Sequence, residues 1–171
     1  MTIIIASHEG ILADTGVYFG NFRAGPHLKV VRSTFRELGP GWFAGSGDLS
    51  ACAKLMQEAV KRGIDAAATE VHAGAVFLSD KGVLMENDDG AGWYEISLIT
   101  PYTFLGAGKS GAMALLGSGL SPLETMVALH KTFVFMDFPL QQAYRGEQTS
   151  WLYEQGKDGL TKRRWTQEPK P

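Results

Sequence analysis

Cysteine is almost absent from this chain: Cys52 is the one thiol among 171 residues. A single cysteine excludes an intramolecular disulfide and fits a reducing compartment, so we expect a cytoplasmic protein. Cys52 falls on the apolar face of a predicted helix, and this position favours a core residue over a nucleophile.

Long hydrophobic runs are also lacking. No apolar stretch approaches the roughly 18 residues that a membrane-spanning helix requires. The N-terminus has no basic region, and its apolar run is too short for a secretory signal. We therefore expect a protein without a membrane partner.

Neither sign of charge dominates, since 16 Lys and Arg residues face 18 Asp and Glu residues, for a net charge of −2. This balance gives no reason to expect a nucleic-acid partner, and the basic run 162–164 is interpreted as a solvated face. The histidines have no metal-ligand spacing, and we expect no metal and no cofactor. They are His8, His27, His72 and His130.

The remaining composition is that of an ordinary globular domain, with 44% apolar and 20% charged residues. A chain of this length can bury one sizeable core. We predict a single domain over residues 1–165, followed by a loose C-terminal tail over residues 166–171.

The N-terminal residues predict a β-strand that begins at the start of the chain. Three successive isoleucines, Ile3 to Ile5, favour extended backbone and suit a strand buried on both faces. Thr2 stands just before them. If Met1 is removed, Thr2 carries an α-amine and a β-hydroxyl on one residue, and this pair can act as base and nucleophile.

The next residues predict an antiparallel hairpin, with strands Ile3–Ser7 and Ile11–Phe19 joined by a short turn. Pairing across this hairpin brings Asp14 near Thr2. We interpret Phe22–Pro26 as a loop and Leu28–Phe35 as a strand that carries Lys29.

Three helices are predicted further along the chain. The first follows Asp48, a candidate N-cap, and ends before Gly63. The second passes through residues 112–116, and the third begins at Ser121 with a capping-box pattern. Predicted hairpins before, between and after these helices indicate an α+β domain of packed sheets with helices outside.

Several of these segments together resemble the proteasome β-type family, which includes the bacterial HslV-type peptidase. Each segment is short, but their order and spacing are specific and they span nearly the whole chain. In chain order they are Thr2–Ala6, Ile11–Asp14, Leu28–Val30, Phe43–Asp48, Phe104–Gly108, Leu120–Glu124 and Leu152–Trp165.

The resemblance implies a fold and a chemistry. The fold is the four-layer αββα sandwich of N-terminal-nucleophile hydrolases, with two antiparallel sheets flanked by helices. The chemistry is peptide hydrolysis by Thr2, with Asp14 and Lys29 setting the electrostatics and the Gly45 backbone N–H as an oxyanion donor. The family also implies self-association into a ring, a polypeptide substrate and an unfoldase partner.

The chain departs from the family pattern at several positions, so the implied site is degenerate. Ala107 stands where the family has the serine of a Gly-Ser-Gly turn, and the first hairpin is shorter than usual. The later Asp-x-x-Ser-Gly-Gly segment is absent, with Asp137 the nearest candidate for its aspartate. If Met1 is retained, Thr2 has no free amine and the mechanism fails.

Three functions stay open on these grounds. The first is a threonine peptidase subunit. The second is a catalytically silent member of the fold with a structural role, for example in a virus particle, and the third is an amidase acting on a small molecule. A phosphate-binding loop over residues 106–110 is disfavoured, because that motif needs a glycine where Thr103 stands.

Overall fold

The computed structural model describes residues 2–19, 22–26, 28–47, 49–64, 73–87, 92–97, 101–132 and 136–166. The predictions made for Met1, for Asp48 as an N-cap and for the tail beyond Thr166 lie outside these ranges.

Strands predominate in the described chain, and α1 separates two runs of them. In chain order the elements are β1 (Ile3–Ala6), β2 (Gly10–Asp14), β3 (Gly16–Phe19), β4 (Phe22–Pro26), β5 (Val30–Phe35), β6 (Gly39–Gly47), α1 (Leu49–Arg62), β7 (Ala73–Ser79), β8 (Leu84–Asn87), β9 (Trp93–Glu95), β10 (Thr103–Gly106), α2 (Lys109–Gly117), α3 (Pro122–Thr132), β11 (Leu140–Tyr144), β12 (Ser150–Gly156) and β13 (Gly159–Trp165). None of these helices is long and apolar enough to cross a membrane.

The strands form two large antiparallel sheets and a small ribbon. The first sheet has six strands in the order β10-β1-β2-β11-β12-β13, and the second has five in the order β5-β6-β7-β8-β9. Strands β3 and β4 pair only with each other. The two large sheets pack face to face, with α1 against the five-stranded sheet and α2 and α3 against the six-stranded sheet. The predicted αββα sandwich is confirmed.

Three hydrophobic clusters hold the four layers together. The central cluster lies between the sheets, where Ile4 and Ile11 meet Trp42 and Val76. A second cluster packs α1 against the outer face of the five-stranded sheet. The third packs α2 and α3 against the six-stranded sheet. Each layer boundary therefore has its own buried apolar contact, as a layered domain requires.

Strand β1 is buried on both faces, as its isoleucines predicted. Ile4 belongs to the cluster between the sheets, whereas Ile3 and Ile5 belong to the cluster beneath α2 and α3. This alternation is the period-two pattern of a strand. Since β1 also pairs with β10 on one edge and β2 on the other, every direction around it is occupied.

The predicted continuous strand Ile11–Phe19 is wrong, because the backbone leaves the six-stranded sheet at Thr15. The Thr15 hydroxyl donates to the carbonyl of Pro139 at 2.8 Å, and the Gly16 N–H donates to the Asp14 carboxylate at 3.0 Å. These bonds take the place of the hydrogen bonds that would have continued the pairing of β2 with its neighbours beyond Asp14. The interpretation of Phe22–Pro26 as a loop is also wrong, since it forms β4.

Strand β11 was not predicted, although it lies inside the six-stranded sheet between β2 and β12. Its sequence, Leu-Gln-Gln-Ala-Tyr, has no β-branched residue and carries two polar residues at its centre. Such a sequence lacks the usual strand signal. Gln141 is nevertheless fully buried there.

The ends of α1 and α3 follow their sequence signals. Ser121 and Glu124 form the predicted capping box, in which the Ser121 N–H donates to Glu124 at 2.8 Å and the Glu124 N–H donates to the Ser121 hydroxyl at 3.3 Å. Gly63 follows α1 with a φ of 89°, and its N–H donates to the Ala59 carbonyl at 3.2 Å. Both ends therefore satisfy backbone groups that a helix leaves open.

Gly106 allows β10 to pass close to the N-terminal end of β1. Its φ of 93° lies in the left-handed region, and a Cβ at this position would overlap the carbonyl of Thr2. The next residue, Ala107, donates its N–H to that same carbonyl at 3.1 Å. Glycine is needed here both for its backbone angle and for space.

We predict that Gly106→Ala destabilises the fold by more than about 2 kcal/mol, because it adds backbone strain to a steric overlap. Urea denaturation followed by circular dichroism measures the loss. Gly117→Ala is the matched control, since it lies in α2 with no atom within 4 Å of the added methyl group. Equal stability of the two variants would contradict the close approach at Gly106.

Candidate functional site

Thr2 lies at the N-terminal end of β1, where hydrogen bonds hold its carbonyl and the N–H of the next residue. Its carbonyl accepts the N–H of Ala107 from one side. On the other side, the Ile3 N–H donates to the Asp14 carboxylate at 2.8 Å. The Thr2 side chain is half-buried. Its hydroxyl is thus placed by two flanking strands while keeping some exposure to solvent.

The Lys29 ammonium group lies at the centre of the site and donates in three directions. Nζ lies 2.8 Å from the Thr2 hydroxyl, 3.3 Å from Asp14 Oδ1 and 2.6 Å from the Gly16 carbonyl. An ammonium group has three N–H donors, so these three acceptors use all of them. Lys29 is only 7% exposed. The amine is therefore fixed beside the Thr2 hydroxyl rather than mobile.

Asp14 is fully buried and serves as an acceptor only. Its carboxylate receives N–H groups from Ile3, Gly16 and Lys29. Three donors on one carboxyl group match the ionised form, which has no hydrogen to donate. The prediction that the first hairpin brings Asp14 near Thr2 is confirmed, because the Ile3 N–H donates to the Asp14 carboxylate and Lys29 Nζ bonds both Thr2 and Asp14.

Burial shifts the pKa of both charged groups. It raises the pKa of the Asp14 carboxyl above its ordinary value, against the opposing attraction of Lys29 and the N–H donors. It lowers the pKa of Lys29 below its ordinary value of 10.5, with Asp14 opposing the change. Lys29 therefore gives up its proton more readily than a lysine at the surface.

Gly45 and its neighbour lie on β6 of the opposite sheet, close to the start of β1. The Ser46 hydroxyl lies 3.3 Å from the position that a Cβ on Gly106 would occupy, and Gly106 pairs with Ile3. The part of β6 that carries Gly45 and Ser46, predicted as a turn, is a strand that lies close to the Thr2 peptide. The role of the Gly45 N–H as an oxyanion donor stays a prediction.

Asp137 is next to the site but does not join the Lys29 bonds described above. It is 8% exposed, and its carboxylate accepts the N–H of Phe138 at 3.0 Å. Its carbonyl accepts the N–H of Thr15, and its negative charge acts on Lys29. The structure therefore places Asp137 in the same neighbourhood, while its catalytic role is still a prediction.

Gln141 is a site residue that the sequence did not indicate. Its side-chain oxygen accepts the backbone N–H of Lys29 at 3.0 Å and of Val30 at 2.9 Å. Its side-chain nitrogen donates to the Val30 carbonyl at 2.7 Å. The local signal is a pair of polar residues near the centre of 140–144, in a stretch whose composition does not predict a strand.

The described ranges contain no group of three or more His, Cys, Asp or Glu residues arranged to hold a metal ion. The arrangement that is present comprises a hydroxyl, an amine and a buried carboxylate. These groups can activate a nucleophile and stabilise developing negative charge, and both are requirements of acyl transfer.

Comparison with known proteins shows the fold. No family model and no curated protein matches the chain. Among solved structures, it is similar to the Gly-1 mutant of Anbu from Hyphomicrobium sp. strain MC1, with a TM-score of 0.68, 14% identity and coverage of 96% of this chain and 87% of that one.

Two further solved structures are similar at the same level. The helical assembly of the Anbu complex from Pseudomonas aeruginosa gives a TM-score of 0.61 at 12% identity, covering 98% of this chain and 88% of that one. The HslV of Trypanosoma brucei gives 0.57 at 14% identity, with coverages of 84% and 98%. The chain thus has the proteasome-like fold of N-terminal-nucleophile hydrolases.

We predict that Lys29→Met lowers the free energy of unfolding at neutral pH by about 3–5 kcal/mol, because it leaves the Asp14 carboxylate buried without its cation. Adding Asp14→Asn to this variant recovers part of the loss, since the unpaired charge is then removed. Urea denaturation of the single and double variants measures the coupling.

The control for this cycle is Lys131→Met, which removes an exposed lysine from the last turn of α3. Its stability is expected to stay within about 0.5 kcal/mol of the parent protein. If Lys29→Met changed the free energy of unfolding as little as Lys131→Met does, the buried pair of Lys29 and Asp14 would not contribute to stability.

Proposed function

We propose that the chain is a threonine peptidase subunit whose nucleophile is the Thr2 hydroxyl, exposed as an N-terminal residue by removal of Met1. The single observation that carries this proposal is the 2.8 Å bond between Lys29 Nζ and Thr2 Oγ1, anchored by the buried Asp14. The proteasome-like fold supports it, because the same fold houses N-terminal nucleophiles.

The proposed reaction uses one residue as both nucleophile and base. The Thr2 amine takes the hydroxyl proton while the hydroxyl oxygen attacks the peptide carbonyl carbon. The amine then gives that proton to the departing nitrogen as the C–N bond breaks, leaving an ester on Thr2. Water then attacks the ester: the amine takes a proton from the water and gives it to the Thr2 oxygen as the C–O bond breaks, which releases the carboxylic acid and restores the hydroxyl. The Gly45 N–H is proposed to stabilise the oxyanion.

Lys29 contributes through its charge. An ammonium group at hydrogen-bond distance lowers the free energy of negative charge developing on the Thr2 oxygen. The same charge disfavours a protonated amine on Thr2, so the amine is available as a base at neutral pH. Asp14 holds Lys29 in place and preserves its charge against burial.

The assembly is part of the proposal. Anbu from Pseudomonas aeruginosa forms a helical assembly. By analogy we propose that this chain self-associates in the cytoplasm and acts on polypeptides, with an unfolding partner supplying extended chain. The fold supports self-association more directly than it supports any particular substrate.

A catalytically silent, structural subunit is the second candidate, and Ala107 is the observation that favours it. Ala107 lies against Thr2 through its backbone N–H, but its methyl side chain supplies no hydroxyl to the site. The buried pair of Asp14 and Lys29 can also persist for structural reasons. An amidase acting on a small molecule is the third candidate, and it shares the Thr2 chemistry.

We predict that intact mass and N-terminal sequencing show Thr2 as the first residue. An electrophile that requires both an amine and a hydroxyl then labels Thr2 stoichiometrically. Thr2→Ala abolishes labelling, while Thr34→Ala, an exposed threonine of β5, leaves it unchanged. A peptide library and a panel of small amides separate the peptidase from the amidase.

A second control keeps the Thr2 side chain but blocks its amine. Inserting a bulky residue between Met1 and Thr2 prevents Met1 removal, and we expect labelling to be lost although the hydroxyl is intact. A parent protein that begins wholly at Met1 contradicts the peptidase and favours the silent subunit.

The labelling rate is predicted to follow a bell-shaped pH profile. It rises as the Thr2 amine loses its proton, at a pH below about 8, the ordinary pKa of an α-amine, because the Lys29 charge disfavours the protonated form. The rate declines again at high pH, as Lys29 loses its proton and its neutral side chain no longer stabilises the Thr2 alkoxide. Because burial lowers the pKa of Lys29, this decline begins at a pH lower than 10.5. In Lys29→Arg the descending limb is absent, since arginine stays charged. A labelling rate of the parent protein that reaches its plateau and shows no decline up to pH 10.5 contradicts the role of Lys29.

A further inference from the structure

Gln141 connects the two large sheets at the point where Lys29 enters the site. It lies on β11 of the six-stranded sheet, whereas Val30 opens β5 of the five-stranded sheet and Lys29 lies just before it. The side chain is fully buried. Its amide therefore makes three of its bonds across the sandwich, to Lys29 and Val30.

The four hydrogen bonds of this amide leave only one orientation for it. The oxygen accepts two backbone N–H groups, from Lys29 and Val30, and the nitrogen donates to the Val30 carbonyl and to the Ser150 hydroxyl at 3.1 Å. A reversed amide would place donors against donors. Ser150 is itself fully buried, so its hydroxyl is a fixed partner that holds the amide nitrogen in place.

The bonds matter for Lys29 because its backbone lies one residue outside the β5–β6 ladder. Lys29 lies just before β5, and the ladder between β5 and β6 begins with Val30 paired to Ala44. Gln141 extends the ordered backbone by one residue, to the residue whose side chain reaches Thr2. A long side chain aims accurately only if its Cα is held.

We propose that Gln141 is a positioning residue for Lys29, holding the backbone from which the ammonium group reaches Thr2 and Asp14. The inference rests on the proposed function for its kinetic consequence, but the placement of Lys29 can be tested without any peptidase activity. Replacement of the amide loosens the Lys29 backbone and admits water to its ammonium group.

The test compares Gln141→Met with Ser33→Ala in the full-length chain. Gln141→Met keeps a side chain of similar length and removes all four bonds. Ser33→Ala removes a different buried bond of β5, from the Ser33 hydroxyl to the Ala59 carbonyl at 2.7 Å on the α1 side. Both variants are expected to lose stability, so loss of stability by itself does not distinguish them.

The distinguishing measurement is the NMR titration of Lys29 in protein carrying isotope-labelled lysine, with its signal assigned from its absence in Lys29→Met. In Gln141→Met the pKa of Lys29 is expected to rise toward 10.5, because hydration relieves burial. In Ser33→Ala it is expected to stay at the parent value. The labelling rate of Thr2 is expected to fall about ten- to a hundredfold in Gln141→Met alone.

Ser150→Ala covers the case in which Gln141→Met does not fold. It removes one bond of the amide and leaves the three to Lys29 and Val30, so it moves the pKa of Lys29 in the same direction by less. A pKa of Lys29 that is unchanged or lowered in the folded amide variants overturns the proposal. If Thr2 is unreactive in the parent chain, the proposed function fails, and the Lys29 titration still decides the role of Gln141.

Discussion

The structure depends on one buried ion pair. Lys29 and Asp14 lie between the sheets, where water does not offset the cost of burying charge. That cost is met only because each charge also has backbone partners: Asp14 receives two backbone N–H groups, and Lys29 donates to the Gly16 carbonyl. The pair therefore fixes the start of β1, the end of β2 and the entry to β5 together.

The surrounding sandwich supports this pair with further polar links between its sheets. Glu86 of β8 accepts the Thr103 hydroxyl of β10 at 2.8 Å, and Trp42 of β6 donates its ring N–H to the Tyr144 carbonyl of β11 at 3.0 Å. Apolar contact alone allows two sheets to slide over one another. Directional bonds at separate points set one alignment, and a cluster of side chains contributed by both sheets requires such an alignment.

Much of this fold could be predicted from local sequence signals. The isoleucine run, the capping box at Ser121 and the glycine after α1 each act through nearest neighbours, so they are visible without tertiary structure. The resemblance to proteasome subunits then supplied the order of layers. Thr2, Asp14 and Lys29 were identified in the same way, and the structure brings all three together.

The features that sequence reasoning missed depend on partners distant in the chain. Strand β11 has weak strand propensity, and its glutamine is stabilised by backbone groups more than a hundred residues earlier. The break at Thr15 likewise depends on the carbonyl of Pro139. No local pattern encodes either contact.

The hydrogen bonds that hold the N-terminal end of β1 involve the Thr2 carbonyl, the Thr2 hydroxyl and the Ile3 N–H. None of these groups is the Thr2 amine. The contacts described for this end of the chain therefore do not require a free Thr2 amine, and they can form whether or not Met1 is present.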